Sequence, residues 1–445
     1  MPKAMKDSGI EWVGQIPEEF TVRRIKNCIT GRFGGCWGED EREDNSHLCI
    51  RIADFDFNTQ TVKMSASTMR SYTSTQLSNG LLQEGDIIVE KSGGGDKTPV
   101  GRTVIYSAQS HPHAMFANFC DVIRPSKEVS NRYFAYCLKA FYQNVDMHLY
   151  FNQTTGLQNL NMSKWLCAKI PFPSKTTQET IATFLDSKCS EIDSLCADIE
   201  KEIEMLEEYK KSVITETVTK GLDKNVEMKD SGIEWIGKIP AHWEVKRVKY
   251  VATSLSKGNG ITKEEVFEDG DIQCVRYGEI YSKYNRDFDK TFSSTKLLKI
   301  SSPKAIGYGD ILFAGTGELV EEIGKNIVYL GKEPCLAGGD IVIMQHKQNP
   351  VFLNYAVGSD YAQKQKSEGK AKLKVVHISS TDIGNIKIAV PPLEEQTEIA
   401  KTLNSVCLDI EKAIEDKRTQ IELLETYKKS IIYEYVTGKK EVPNE

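Results

Sequence analysis

The chain has 445 residues, more than one hydrophobic core normally organises, and its 40% hydrophobic and 27% charged residues with 14 prolines exclude general disorder. No apolar run approaches the roughly 20 residues of a membrane span, and no signal-peptide pattern opens the chain, which reads as cytoplasmic. The 11 cysteines show no C-x-x-C pair, against a disulfide framework or a zinc site, and the net charge of −6 weighs mildly against a nucleic-acid partner unless a basic patch is local.

In chain order, the first feature is a sentence written twice. MKDSGIEWVGQIP begins at Met5 and MKDSGIEWIGKIP at Met228. The match runs on: Trp12, Pro17, Phe20, Val22, Arg24 and Lys26 face Trp235, Pro240, Trp243, Val245, Arg247 and Lys249 at an offset of 223. That distance is far longer than a solenoid period of about 20–50 residues, so a whole domain is duplicated. CIRIADFD from Cys49 resembles CVRYGEIY from Cys274, and GDIIVEK from Gly85 matches GDILFAG from Gly309, each a turn entering an apolar strand. NRYFAYCLKAF from Asn131 and PVFLNYAVGS from Pro350 read as short helices. Between these anchors the bodies share little. The fold class is mixed α/β (α+β), with one scaffold carrying two sets of loops.

Each copy closes on proline punctuation, Pro171 and Pro173 or Pro391 and Pro392, followed by a long helical pattern. Here TTQETIATFLDSKCSEID from Thr176 answers EEQTEIAKTLNSVCLDIE from Glu394 at an offset of 218. Heptads place Leu185, Ile192, Ile199, Leu206 and Val213 at d, with Cys189, Cys196, Ile203 and Lys210 at a. The second set is Leu403, Ile410, Lys417, Leu424 and Ile431 at d, with Cys407, Ile414, Ile421 and Lys428 at a. Gly221 and Gly438 fit the helix ends. Two such helices in one chain predict an antiparallel coiled coil, with an amphipathic helix lying on its own domain as the competing reading. The expected division is residues 1–173 and 222–391 as globular domains, 174–221 and 392–438 as helical regions, and 439–445 as a tail. About 35 helical residues make a rod of roughly 50 Å. DNA advances about 34–36 Å per turn, so two globes on such a rod suit a split, asymmetric site.

The GIEWVGQIPEEFTVRRIK opening, the KSGGGDKTPVGR loop, the PFPSKTTQETIATFLD and VPPLEEQTEIAKTLN helix entries and the YKKSVITETVT helix end together resemble the specificity subunit of type I restriction-modification systems, over essentially the whole chain. The first copy departs from the pattern by having TTQETIA where the second has EEQTEIA. The resemblance implies two target-recognition domains, each reading half of a bipartite DNA sequence, and an antiparallel coiled coil that spaces them and docks two modification subunits. It implies no catalysis and no cofactor in this chain. S-adenosylmethionine would sit on the modification subunits, and ATP and Mg on restriction subunits of the full complex.

The residues themselves carry no pattern of an active site, and a non-enzyme is expected. There is no N-P-P-[YF] or D-P-P-Y tetrapeptide, and KSGGGDKT from Lys91 and GTGELVEEIGK from Gly315 lack phosphate-loop spacing. His111 and His113 have no Cys/His ligand set beside them. Asp86, Glu90 and Lys91 lack the acid-x-Lys order of a nuclease. No metal site is expected.

Contacts to DNA need cations, small polar groups or free backbone N–H groups for phosphates, and side chains able to reach groove edges for bases. The loop from Lys91 to Arg102 offers Lys91, Ser92, Gly93, Gly94, Gly95, Lys97 and Arg102, its glycines allowing close backbone approach. A hairpin with solvated charges is the plain alternative. FNQTTGLQNLN from Phe151 offers Asn152, Gln153, Thr154, Thr155, Gln158 and Asn159, or merely a polar turn. The matching second-copy segment carries Lys370, Lys372 and Lys374. Arg51 and Arg276 stand at matched positions, for a shared backbone contact or for an acidic neighbour. Lys257 and Asn259 in SLSKGNG, and GRFGGCWG from Gly31, are glycine-rich openings of the two bodies. The competing functions are a protein-binding tether without catalysis and a specificity-subunit-like modulator of a host restriction system.

Overall fold

The computed structural model describes residues 4–42, 46–154, 156–317, 322–368 and 376–443. The duplicated opening words close the same small hairpin twice, Met5–Asp7 pairing with Gln15–Pro17 and Met228–Asp230 with Lys238–Pro240. Its turn is built by side chains. Asp7 accepts from Gly9 N at 2.9 Å and Ser8 Oγ from Ile10 N at 3.1 Å; Asp230 and Ser231 repeat this with Gly232 N and Ile233 N at 2.9 and 3.2 Å. Gly9 and Gly14, like Gly232 and Gly237, hold positive φ there.

The chain forms two compact units, one of Met1–Ile199 with Arg418–Glu445 and one of Glu200–Lys417. The first is centred on a six-stranded sheet ordered Ile29–Gly34, Cys120–Pro125, Ile87–Glu90, Thr103–Ile105, Thr61–Val62, Phe55–Asp56. The second has five strands in the matching order: Ala252–Lys257, Ile341–His346, Ile311–Ala314, Asn326–Tyr329, Asp287–Phe288. In both, the apolar strand after the GDI turn is central and fully buried. Its period of two sorts the side chains between two cores. Ile87 and Val89 join the core containing the helix Asn131–Asn144, while Ile88 joins Ile50, Phe55 and Val104 on the other face. Ile311 and Phe313 against Leu312 and Ala314 repeat the sorting.

The proline-then-helix words also have a structural reason. In the first copy Gln178 is buried, accepts from Ser130 N at 2.9 Å and donates to Pro173 O at 2.9 Å. In the second, Gln396 does the same with Asn349 N and Pro391 O, both at 2.9 Å. One buried amide thus ties the start of each long helix to the N-cap of an earlier helix, Asn131–Asn144 or Pro350–Gly358, satisfying groups that would otherwise be orphaned.

The long helices span Lys175–Lys220 and Leu393–Val436, and each contributes to both units. In the first unit Leu185, Cys189 and Ile192 share a core with Ile431, Ile432 and Val436. In the second, Val213 and Val218 share one with Leu403 and Cys407. Start packs on end in each case, so the pairing is antiparallel. Of the remaining expected seam residues, Ile410 and Ile414 are buried, and Ile199, Ile203, Leu206, Ile421 and Leu424 are half-buried. The lysines that interrupt the heptads each meet an acid across the pair. Lys428 Nζ lies 2.6 Å from Asp193, Lys210 3.4 Å from Glu411, and Lys417 pairs with Glu202. Gly221 and Gly438 adopt positive φ just past the helices. Among the described residues no helix is long and apolar enough to cross a membrane.

Candidate nucleic-acid interface

In the first unit the glycine-rich loop and the amide-rich hairpin are brought together. Ser92 and Gly93 form a short strand on Leu157–Leu160, with Ser92 opposite Asn159 and Gly93 opposite Gln158. Phe151–Thr154 completes the three strands. Ser92 Oγ donates to Asn159 Oδ1 at 2.7 Å, and the buried Gln158 accepts from Val100 N at 3.2 Å. Gly94, at φ +64°, leaves a added Cβ only 2.7 Å from Gln158 Oε1, so the close turn requires glycine. Asn152 and Gln153 are exposed on the hairpin, and Thr155 lies outside the described residues. The second unit has the same device, with Thr316–Gly317 pairing with Val376–His377. Lys370, Lys372 and Lys374 lie outside the described residues.

The candidate cations fall into two groups. Lys97 is exposed on the loop. Arg102 instead grips the buried carboxylate of Glu90 with two hydrogen bonds of 2.7 and 2.8 Å and stacks over Phe57 at 3.9 Å. Lys91 lies 2.9 Å from the buried Asp121, which Arg32 also holds at 2.6 Å. Asp86 is bound by Arg124 through two contacts of 2.8 Å. The acids on these strands are therefore each neutralised by a cation from a neighbouring strand, as burial of a carboxylate demands.

Arg51 and Arg276 occupy matching helix N-caps. Arg51 meets Asp54 at 2.9 and 3.1 Å, and Arg276 lies 3.5 Å from Glu279. An acidic partner three residues on is the alternative the sequence left open, and the spacing Arg-x-x-Asp/Glu was its visible signal. Lys257 pairs with Asp340 at 3.0 Å but remains largely exposed. Asn259 donates to Ser301 O at 2.8 Å, and its N–H bonds Ala337 O beside the strand Ile272–Val275 that leads to Arg276. Lys257 ends the edge strand Ala252–Lys257, and Asn259 ties the chain after it to Ala337, which pairs with Val275 just before Arg276.

Sequence reasoning missed Asn118 and Phe119, and it noticed Trp37 only within a glycine-rich stretch. Trp37 is 40% and Phe119 49% exposed, and they flank a cavity of about 530 Å³ whose wall includes Arg51. The cavity adjoins the glycine loop, since Lys91 N and Ser92 N both donate to Phe119 O. Only the pairing of the strands Ile29–Gly34 and Cys120–Pro125 brings the two aromatics to one cavity. Among the described residues no cluster of three His, Cys, Asp or Glu side chains is set to hold a metal.

The chain is thus a duplicated α/β scaffold, with the same sheet order and the same helix-entry tether in each unit and unlike loops at the strand ends. A profile of the type I restriction modification DNA specificity domain matches residues 53–205 and 240–422. The chain belongs to that family. It is 30% identical over 296 residues to the type I restriction enzyme MjaVIII specificity subunit of Methanocaldococcus jannaschii, covering 65% of this chain and 66% of that one. It is 26% identical over 434 residues to the putative MjaX specificity subunit of the same organism, covering 96% and 95%. The fold matches the HsdS subunit of Thermoanaerobacter tengcongensis with a TM-score of 0.52 at 14% identity over 96% of this chain and 98% of that one. A chain from a structure of type I restriction-modification complex assembly matches with a TM-score of 0.69 at 12% identity, covering 96% and 99%.

Proposed function

We propose that this chain reads DNA for a type I restriction-modification complex and performs no catalysis itself. Each unit reads one half of a bipartite, asymmetric site. The paired helices set the gap between the halves and dock two modification subunits. S-adenosylmethionine belongs to those subunits, and ATP and Mg to the restriction subunits, in this reading. The observation that carries it is the repetition itself: one strand order and one set of buried tethers appear twice, while the loops at their rims differ. A scaffold kept constant under changing rims suits a reader of two different sequences better than a tether, which has no need for unlike heads.

The test is a base-resolution adenine methylation map of cells carrying the complex, with residues 1–173 exchanged for the same region of another specificity subunit. The expected result is a bipartite motif in which one half changes and the other stays. A change in both halves, or in neither, refutes the division of labour.

A further inference from the structure

The cavity beside the glycine loop lies in the first unit, and the backbone pattern that forms it is present in both. Gly35 N bonds Cys120 O and Cys36 N bonds Phe116 O; Gly258 N bonds Ile341 O and Asn259 N bonds Ala337 O in the same pattern. A Cβ on Gly35 would come within 1.9 Å of Ala117 O, and one on Gly258 within 2.1 Å of Gly338 O. Glycine at this point lets two loops dock edge to edge. The matched hydrogen bonds set Trp37 against Gly260, Asn118 against Gly339 and Phe119 against Asp340. Where one copy has two aromatics and an amide, the other has two glycines and an acid.

The aromatic version is held ready. Arg70 stacks on Trp37 at 4.8 Å and donates to its carbonyl at 3.2 Å, while Phe119 is fixed through the two N–H groups of the glycine loop. Ile52, Ala53 and Ala117 complete an apolar floor. Asn118 is exposed at the mouth, and its side chain makes no hydrogen bond among the described residues. The one cation in the wall, Arg51, is held by Asp54.

We propose that Trp37, Asn118 and Phe119 read one A·T base pair in the half-site served by the first unit. The proposal rests on the DNA-reading function above and makes it specific. An asparagine amide matches adenine N6 and N7, and an apolar aromatic wall matches the thymine methyl. A guanine would call for a free arginine and a cytosine for a free carboxylate, and the pocket offers neither. Asp340 at the matched place in the second unit gives that unit a different reading surface from the same backbone.

The experiment uses the purified complex with its modification subunits and duplexes in which each thymine of the first half-site is replaced in turn by uracil, which lacks the methyl. Wild type should lose about fourfold in affinity at one position, the value of one buried methyl group. Phe119→Ala and, as a volume-keeping second variant, Phe119→Leu should abolish or blunt the penalty at that position only, and Asn118→Ala should relax the adenine requirement at the same pair. Unchanged penalties in all variants, or a first half-site without an A·T pair, overturn the pocket and leave the DNA-reading function standing. If exchange of residues 1–173 also leaves the methylated motif unchanged, the DNA-reading function itself fails.

Discussion

Lys366 is a cation with almost no water. It lies 2% exposed between Gly324 O at 2.9 Å and Asn326 Oδ1 at 3.1 Å, and burial pushes its pKa down to about 7. Below that pH it is charged in both folded and unfolded states and folding bears the whole desolvation penalty. Between the folded value and the ordinary lysine range the unfolded state binds more protons, so stability rises with pH. The melting temperature of Lys366→Met relative to wild type should therefore be most favourable near pH 6. By pH 9 the wild type should have regained about 2–3 kcal/mol on the variant. A pH-independent difference would mean that Lys366 keeps its proton. The same scale separates Lys97 from Arg102. Lys97→Ala should lower the slope of log affinity against log salt by about one, with stability unchanged. Arg102→Ala leaves Glu90 buried without its partner and should cost about 3 kcal/mol of stability, seen as a lower urea midpoint. The sequence could list both as cations near glycines. It could not tell them apart, because Glu90 and Phe57 meet Arg102 only through strand pairing. For Arg51 and Arg276 the acid lay three residues away and was readable.

Among the elements, the long helices were the most legible, since heptads and terminal glycines are local patterns. Lys210, Lys417 and Lys428 looked like flaws in the apolar repeat. Each instead meets an acid on the facing helix, and charges at seam positions favour one alignment of two helices over slipped ones. The register can be lengthened only in whole heptads and only in both helices together. Inserting seven residues at matched points of each should widen the gap between half-sites by about 10 Å, or roughly 3 base pairs, read directly from the methylated motif. An unchanged gap would remove the helices from the spacing mechanism. The strands were legible as apolar runs after a GDI turn, whereas their order was not, because sheet neighbours are set by contacts far apart in sequence. The buried Gln178 and Gln396 show what the repeated helix-entry words encode: a tether between two helices that no propensity scale contains.

At the scale of the molecule, duplication was plain from an offset of 223 and led correctly to two similar bodies, while the opening, glycine-loop and helix-entry motifs led to the family. The composition of the bodies was not plain. The first is assembled from Met1–Ile199 and Arg418–Glu445, segments separated by the whole of the second. Tyr133 Oη donates to Val436 O at 3.0 Å, and Ile431, Ile432 and Val436 are buried in the first unit's core. That arrangement has a consequence for biosynthesis. As the chain leaves the ribosome, the second unit holds all its parts once residue 417 has emerged, while the unit begun first still lacks one wall of its core. The first-made body is thus the last to be completed. Until then the apolar faces of Leu185 and Ile192 have no second helix over them, a state in which chaperone capture competes with closure.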